Sequence, residues 1–323
     1  MNILGLETSC DETAAAVVKD GKIILSNTVV SSLNEHKPYG GILPELASRR
    51  QIEYINAVVK KSLAQANVGL KKIDAIAAAN SPGLIGSLLV GISFGRALSF
   101  ALKKPFINVD HIKSHIYANF LRLSKDKNYK TPKLPAVGLV VSGGHTSLYH
   151  VKSFTNFKLL GQTQDDAAGE AFDKVARILN LGYPGGPAIQ KAAQNIKKSN
   201  IQFTCAPLAG TLDFSFSGIK TAVLYYKRRH EHSRTFSVEE VAFAFQKSLV
   251  NCLVQKCISA CQKIKTKTLL LGGGVAANAR LRQKLSEECK KYGIQFYFPP
   301  INLCTDNAAM IAGLGFRTVK KIN

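Results

Sequence analysis

The chain has 323 residues, 46% of them hydrophobic, enough for two domains with a sizeable core, and this composition excludes an intrinsically disordered chain. Its 43 Lys and Arg against 21 Asp and Glu give a net charge of +22, which points to a polyanionic partner, RNA before membrane, although a lysine-rich solvated surface gives the same sum. Seven cysteines, an odd number with no Cys-x-x-Cys pair, exclude a disulfide scaffold and point to reduced thiols and a cytoplasmic protein.

Ile3 to Leu6 reads as a first strand, which leaves no room for a leader ahead of it. A polar turn from Glu7 to Thr13 follows, carrying three carboxylates toward solvent or a ligand. Asp11 and Glu12 in that turn either orient a metal, a water or a nucleophile, or serve turn chemistry. Pro44-Glu45 opens a helix whose Ile52, Ile55, Val59 and Leu63 share one face. The apolar run from Leu84 to Gly95 is too short to span a bilayer before Arg96 interrupts it, and no membrane partner is expected. Phe106 to Asp110, strand-like, leads into His111-Ile112-Lys113-Ser114-His115. If a helix starts there, the two imidazoles sit on one face within reach of one metal ion; ordinary surface histidines are the alternative. Ile112 occupies the position where a zinc protease needs Glu. A third ligand must come from elsewhere, and Asp306, just before the apolar helix Ala308 to Phe316, is either that ligand or a helix cap.

In the second half, Val137 to Tyr149 (VGLVVSGGHTSLY) reads as a hairpin with a glycine turn. Gly143 and Gly144 let backbone N–H groups approach an anion. Thr163 to Pro187 holds a helix with Ala171, Val175, Ile178 and Leu179 inward and a Pro184-Gly185-Gly186 stop. Asp173 on it either binds ribose hydroxyls or pairs with Lys174 or Arg177. Gly185 and Gly186 either admit a ribose or base against bare backbone or only end the helix. Leu212 to Thr221 (LDFSFSGIKT) shows no role. Tyr225 to His230 mixes aromatic rings with charge as a nucleic-acid surface does. Ser237 and Glu240 form a capping box for a long helix through Cys261. Strand Thr268 to Leu271 then ends in Gly272-Gly273-Gly274, which suits the base or sugar of a nucleotide, with Asn278 supplying amide contacts.

The hairpin occurs twice. Gly5-Leu6-Glu7-Thr8-Ser9 matches Gly138-Leu139-Val140-Val141-Ser142, and Thr13 falls opposite Thr146 in the same ungapped register. Each hairpin is followed by helix, strand, helix and strand, so two like-built lobes are expected, facing a crevice that holds a nucleotide.

The motifs Gly5 to Thr13 (GLETSCDET), Tyr39 to Arg49 (YGGILPELASR), Asn80 to Gly83, Val140 to Thr146 (VVSGGHT), Asp165 to Pro187, Gly272 to Arg282 and Cys304 to Ala312 together resemble the TsaD family, also called Gcp or OSGEP-like proteins. That resemblance implies the two-lobed, duplicated α/β fold of actin, sugar kinases and heat-shock chaperones, with lobes at 1–107 plus 303–323 and at 108–302. It also implies transfer of a threonylcarbamoyl group from threonylcarbamoyl-AMP to the N6 amine of the adenosine next to the anticodon, in tRNAs reading codons that begin with A, with release of AMP. By the same likeness His111, His115 and Asp306 hold one divalent ion, iron (Fe2+) or else zinc (Zn2+). Val140, Val141, Ser142, Gly143, Gly144, Asp173, Gly186 and Asn278 hold the adenylate. Lys113-Ser114 departs from the Glu-Gly or similar pair that the family commonly carries between the histidines. Asp11 or Glu12 is the candidate for orienting the amine. A TsaB-like paralogue and a small TsaE-like ATPase are the expected partners. A small-molecule kinase or a noncatalytic scaffold of the same fold are the alternatives.

Overall fold

The amino-terminal hairpin pairs β1 (Asn2–Glu7) with β2 (Glu12–Lys19) in the computed structural model, which describes residues 1–123, 126, 129–206 and 208–319. β3 (Ile23–Ser31) extends the meander. After α1 (Leu33–His36) and α2 (Pro44–Ala66), strands β4 (Ala75–Ser81) and β5 (Phe106–Asp110) add in parallel on the far side of β1, joined by α3 (Ile85–Leu102). α4 (His111–Tyr117) leaves β5 directly, and β6 (Arg122–Leu123) closes the order β5-β4-β1-β2-β3-β6. β2 from Ala14 to Val18 and β4 from Ala75 to Ala79 are continuously apolar rather than alternating, so both sheet faces must be covered there. α2 packs Ile55, Val58, Val59 and Leu63 against Leu4, Leu6, Val17 and Ile76 on one face.

Two readings of these helices are corrected. Ile52 is 65% exposed, and Gln51 is buried in its stead. α3 runs on through Arg96 to Leu102 and is, by length and composition alone, apolar enough to cross a membrane. It is nonetheless packed on the sheet: a Cβ at Gly91 would lie 2.4 Å from Thr8 Oγ1.

In the second half, β7 (Ala136–Val141), β8 (Thr146–Ser153) and β9 (Asn156–Gln162) form the second meander. α5 (Ala168–Ile178), α6 (Gly185–Ala193), α7 (Ser217–His230) and α8 (Val238–Lys263) follow, then β10 (Thr268–Gly272), α9 (Ala279–Lys291) and β11 (Gln295–Tyr297), in the order β11-β10-β7-β8-β9. Gly185 and Gly186 do not stop a helix; they begin α6. The capping box at α8 is half formed: Ser237 Oγ accepts from Glu240 N–H, but the Glu240 carboxylate accepts from Ser199.

The duplication extends to hydrogen-bond register. Gly5 pairs with Ala16 in the first hairpin and Gly138 with Tyr149 in the second, the same offset that aligns the two sequences. The last helix, α10 (Ala308–Val319), returns to the first sheet and lies against β1 and β2. The two compact units are Met1–Pro132 with Pro299–Asn323, and Lys133–Phe298. The first is longer than the 1–107 plus 303–323 read from sequence, because β5 continues straight into α4, which packs on α10, and β6 pairs with β3.

The stretch 212–221 has a structural role the sequence did not show. Phe214 and Phe216 are fully buried and stacked. The Asp165 carboxylate holds the start of α7, accepting from Phe216 N–H at 2.8 Å and Ser217 Oγ at 2.7 Å. Burial works against this carboxylate's charge, but the Ser215, Ser217 and backbone donors outweigh it and hold Asp165 below its ordinary 3.8. Asp165→Ala therefore costs about 1 kcal/mol near neutrality, the usual worth of a helix cap. A carboxylate with a lowered folded value contributes stability above its unfolded value and loses it as the pH falls through the folded one. The gap between wild type and variant in urea unfolding should thus be full at neutral pH and close in acid below 3.8.

Candidate metal centre and anion-binding turn

The first unit brings three sequence-separated side chains together. β5 ends at Asp110, whose Oδ1 accepts from Lys113 N–H at 2.9 Å and so starts α4 at His111. One turn of that helix then places His111 and His115 edge to face, with ring centroids 4.7 Å apart. Asp306 arrives from the other end of the chain. Its neighbour Asn307 makes the α10 cap, accepting from Met310 N–H at 3.1 Å, and the Asp306 carboxylate is thereby released from capping. Asp306 Oδ1 lies 3.2 Å from His115 Nε2 and 3.6 Å from His111 Nε2. The ligand atoms of all three lie within 4.8 Å of one another.

This donor set fits a metal ion. His115 is 1% exposed, and among the described residues neither ring nitrogen makes a hydrogen bond, although Asp306 Oδ1 comes within 3.2 Å of Nε2. A buried imidazole with two unsatisfied nitrogens is costly unless one of them binds something else. His111 has the converse arrangement: Nδ1 lies 2.9 Å from Glu7 Oε2 and 3.2 Å from Ser9 Oγ, so the carboxylate fixes the Nδ1–H tautomer and aims the Nε2 lone pair at the cluster. Burial disfavours a charged His111, yet Glu7 and Asp306 outweigh burial and raise it to about 9. The local field therefore attracts a cation. Two imidazoles and one carboxylate, with the remaining positions open, match transition-metal rather than calcium or magnesium chemistry.

Lys113 and Ser114 are accommodated between the histidines: Lys113 Nζ pairs with Asp110, and the buried Ser114 hydroxyl donates to the His111 carbonyl. The first hairpin tip is not a solvent-facing turn. Glu7, Thr8, Ser9 and Asp11 are all buried. Asp11 Oδ2 accepts from Ser31 Oγ, and Gln51 Nε2 donates to the Cys10 and Glu12 carbonyls at 2.9 and 3.0 Å. Burial, then the nearby Asp306 and Asp11 carboxylates, push Glu12 well above the usual carboxylate range. Sequence reasoning missed both Glu7 as the orienting partner of His111 and Gln51 as the clasp of the tip. The available signal was a carboxylate at the end of an otherwise apolar strand and an amide on the apolar face of a helix.

In the second unit, β7 ends at Val141 and the turn opens. Ser142 N–H donates to the His145 carbonyl and His145 N–H to Ser142 Oγ. Gly143 and Gly144 are exposed with open space beside both α-carbons, and among the described residues their N–H groups have no protein acceptor. Two neighbours shape this turn. Gly169, in the first turn of α5, donates its N–H to the Ser142 carbonyl. Gly273, at φ +90°, brings the end of β10 so close that a Cβ would sit 2.4 Å from the Val141 carbonyl oxygen. Asp173 holds the start of α6, accepting from Gly185 N–H at 2.7 Å, while burial pushes its carboxyl up. Gly186 beside it is open. Asn278 is largely spent inside the protein: Oδ1 caps α9 at Leu281 and Nδ2 donates to Gln246 Oε1. Val140 and Val141 are fully buried strand residues, so neither side chain is exposed to a ligand.

The chain matches, over residues 23–313, the family described as TsaD: tRNA N6-adenosine threonylcarbamoyltransferase. It is 49% identical over 317 residues to a tRNA N6-adenosine threonylcarbamoyltransferase of Caldicellulosiruptor saccharolyticus, a match covering 98% of this chain and 92% of that protein. Among solved structures, full-length HypF in its phosphate- and nucleotide-bound form superposes with a TM-score of 0.64 at 13% identity, over 100% of this chain and 46% of that one. Component A of the Acidaminococcus fermentans (R)-2-hydroxyglutaryl-CoA dehydratase superposes with a TM-score of 0.56 at 14% identity, over 99% of both chains. These distant likenesses give the fold, the duplicated α/β architecture shared by actin, sugar kinases and heat-shock chaperones. The sequence match gives the family, and the chain belongs to the TsaD family of tRNA N6-adenosine threonylcarbamoyltransferases.

Proposed function

We propose that this protein transfers a threonylcarbamoyl group from threonylcarbamoyl-AMP to the N6 amine of the adenosine next to the anticodon, in tRNAs reading codons that begin with A. The observation that carries this reading is the cluster of buried His111 and His115 with half-buried Asp306 in a member of this family. The amine nitrogen attacks the carbamoyl carbon, the bond from that carbon to the AMP phosphate oxygen breaks, and the amine proton is lost to solvent. AMP leaves as the anion. A divalent ion held by His111, His115 and Asp306 would supply Lewis acidity, and of the two ions that two imidazoles and one carboxylate commonly hold, Fe2+ and Zn2+, Fe2+ is the proposed occupant.

The remaining roles fall to the chain's own groups. The free N–H groups of Gly143 and Gly144 hold the phosphate of the adenylate and stabilise departing AMP. Asp173 and the open backbone at Gly186 receive the ribose, and Asn278 shapes the loop after Gly274. An aromatic amine is a weak nucleophile, so the acceleration comes from positioning and from leaving-group stabilisation. Glu12, with Asp11 beside it, orients the amine. The test is mass spectrometry of tRNA nucleosides after incubation with synthetic threonylcarbamoyl-AMP. Modified adenosine should appear with the wild type and fall sharply with Glu12→Ala, and steady ATP turnover without tRNA would instead favour a kinase.

The α7 segment Tyr225 to His230 is the proposed contact for the tRNA backbone. Tyr226 stacks on His230, and Tyr225, Arg228 and Arg229 are exposed. Arg228→Ala with Arg229→Ala should weaken tRNA binding and flatten the slope of log affinity against log salt by about 1–2, read from binding isotherms at several salt concentrations. An unchanged slope would place the tRNA elsewhere. A TsaB-like paralogue and a TsaE-like ATPase complete the proposed cytoplasmic system. The exposed Ile85, Leu89 and Phe100 of α3 leave an apolar face suited to such a protein partner, and the isolated chain should turn over weakly.

A further inference from the structure

Five of the seven cysteines have a plain structural account. Cys257, Cys261 and Cys289 are buried, with burial pushing each thiol up. Cys304 is buried and donates to the Pro299 and Pro300 carbonyls. Cys10, in the first hairpin tip, is kept protonated by burial and by Asp11.

Cys205 and Cys252 differ. Cys205 lies in an irregular stretch that runs along α8, and its Sγ is 3.9 Å from the Ser248 carbonyl, one helical turn before Cys252. Cys252 follows one turn after that carbonyl, so the two side chains are neighbours and each perturbs the other. Both are half-buried, and both line one cavity of about 280 Å3 together with Phe203, Ser248 and Lys256. The neighbouring Cys205 side chain and then Lys256 lower the Cys252 thiol against the effect of burial. Lys256, one helical turn beyond Cys252 on α8 and lining the same cavity, places a cation beside that sulfur, so Cys252 is the one to attack and Cys205 the one to resolve.

We propose that Cys205 and Cys252 form a reversible dithiol–disulfide site that reacts with low-molecular-weight disulfides. The Cys252 thiolate attacks one sulfur of the small disulfide, forming a mixed disulfide and expelling a small thiolate, which takes up the proton Cys252 lost. Cys205 then gives its proton to solvent and attacks the Cys252 sulfur. The protein disulfide forms and a second small thiol leaves. The small disulfide is reduced to two thiols, and the protein loses two hydrogens. The new bond pins the stretch around Cys205 to α8. That stretch continues through Thr211, whose carbonyl accepts from Lys256 Nζ, to the buried Phe214 and Phe216 that flank the Asp165 anchor of α7.

The test incubates the full chain with glutathione disulfide over a series of ratios to glutathione, then quenches by alkylation for intact mass and peptide mapping. The expected product has lost two hydrogens and joins the Cys205 and Cys252 peptides, with Cys257, Cys261 and Cys289 still alkylated only after unfolding. It melts a few degrees higher than the reduced chain, and dithiothreitol reverses the shift. Cys205→Ser should stop at a glutathione adduct on Cys252, and Cys252→Ser should give no adduct at Cys205. Both thiols remaining alkylatable at the most oxidising ratio, a linkage through another cysteine, or an adduct on Cys205 in the Cys252→Ser protein would each overturn the assignment. An oxidised chain melting with the reduced one would overturn the pinning.

Discussion

His115→Ala protein should retain no stoichiometric metal after purification and should modify tRNA at least about 100-fold more slowly than the wild type. The argument rests on burial. Among the described residues the buried His115 makes no hydrogen bond and has the Asp306 carboxylate beside it, an arrangement that a shared metal ligand accounts for, and removing it deletes one of three donors. Glu7→Gln separates ligation from orientation. It leaves His111, His115 and Asp306 in place but removes the charged acceptor that lies 2.9 Å from His111 Nδ1. Metal affinity should fall by about 10–100-fold while the fold survives, measured by competition with a chromophoric chelator and by elemental analysis of the purified chain. If Glu7→Gln bound metal as tightly as wild type, the carboxylate would not be orienting the imidazole.

The second large effect is on stability. Gly273→Ala should lower the stability of the second unit by about 2–4 kcal/mol, because a side chain there meets two penalties at once. The backbone sits at φ +90°, where L side chains are strained, and the added Cβ would lie 2.4 Å from the Val141 carbonyl oxygen, which is backbone and cannot swing away. The displaced partner is the end of β7, so the Ser142–Gly144 turn moves with it and adenylate affinity should fall as well. Gly274→Ala is the control: no atom lies within 4 Å of its added Cβ, and its effect should stay within about 0.5 kcal/mol. Equal urea midpoints for the two variants would mean the close approach is relaxed in solution.

Much of the architecture follows from short-range pattern. The repeated hairpin, the strand-glycine-helix units and the histidine spacing are properties of neighbouring residues. Each survives as an element within a residue or two of its expected place. Assignments that depend on what a side chain meets across the fold did not follow from pattern. Periodicity put Ile52 on the inner face of α2, but the buried Cys10 and Glu12 carbonyls need donors, and Gln51 supplies them. Pattern also left Asp306 undecided between cap and ligand, and the choice fell to Asn307, which takes the cap.

The sequence by itself determined that the chain folds twice in the same way, that its glycine turns can face an anion, and that two imidazoles share one helical face, since strand and helix periods carry that information locally. Only the tertiary structure decided that a carboxylate from residue 306 joins them, that Glu7 aims one of the rings, and that Asp165 anchors α7. Those contacts bridge long stretches of chain, and nothing in local spacing says which distant groups must satisfy a buried polar atom.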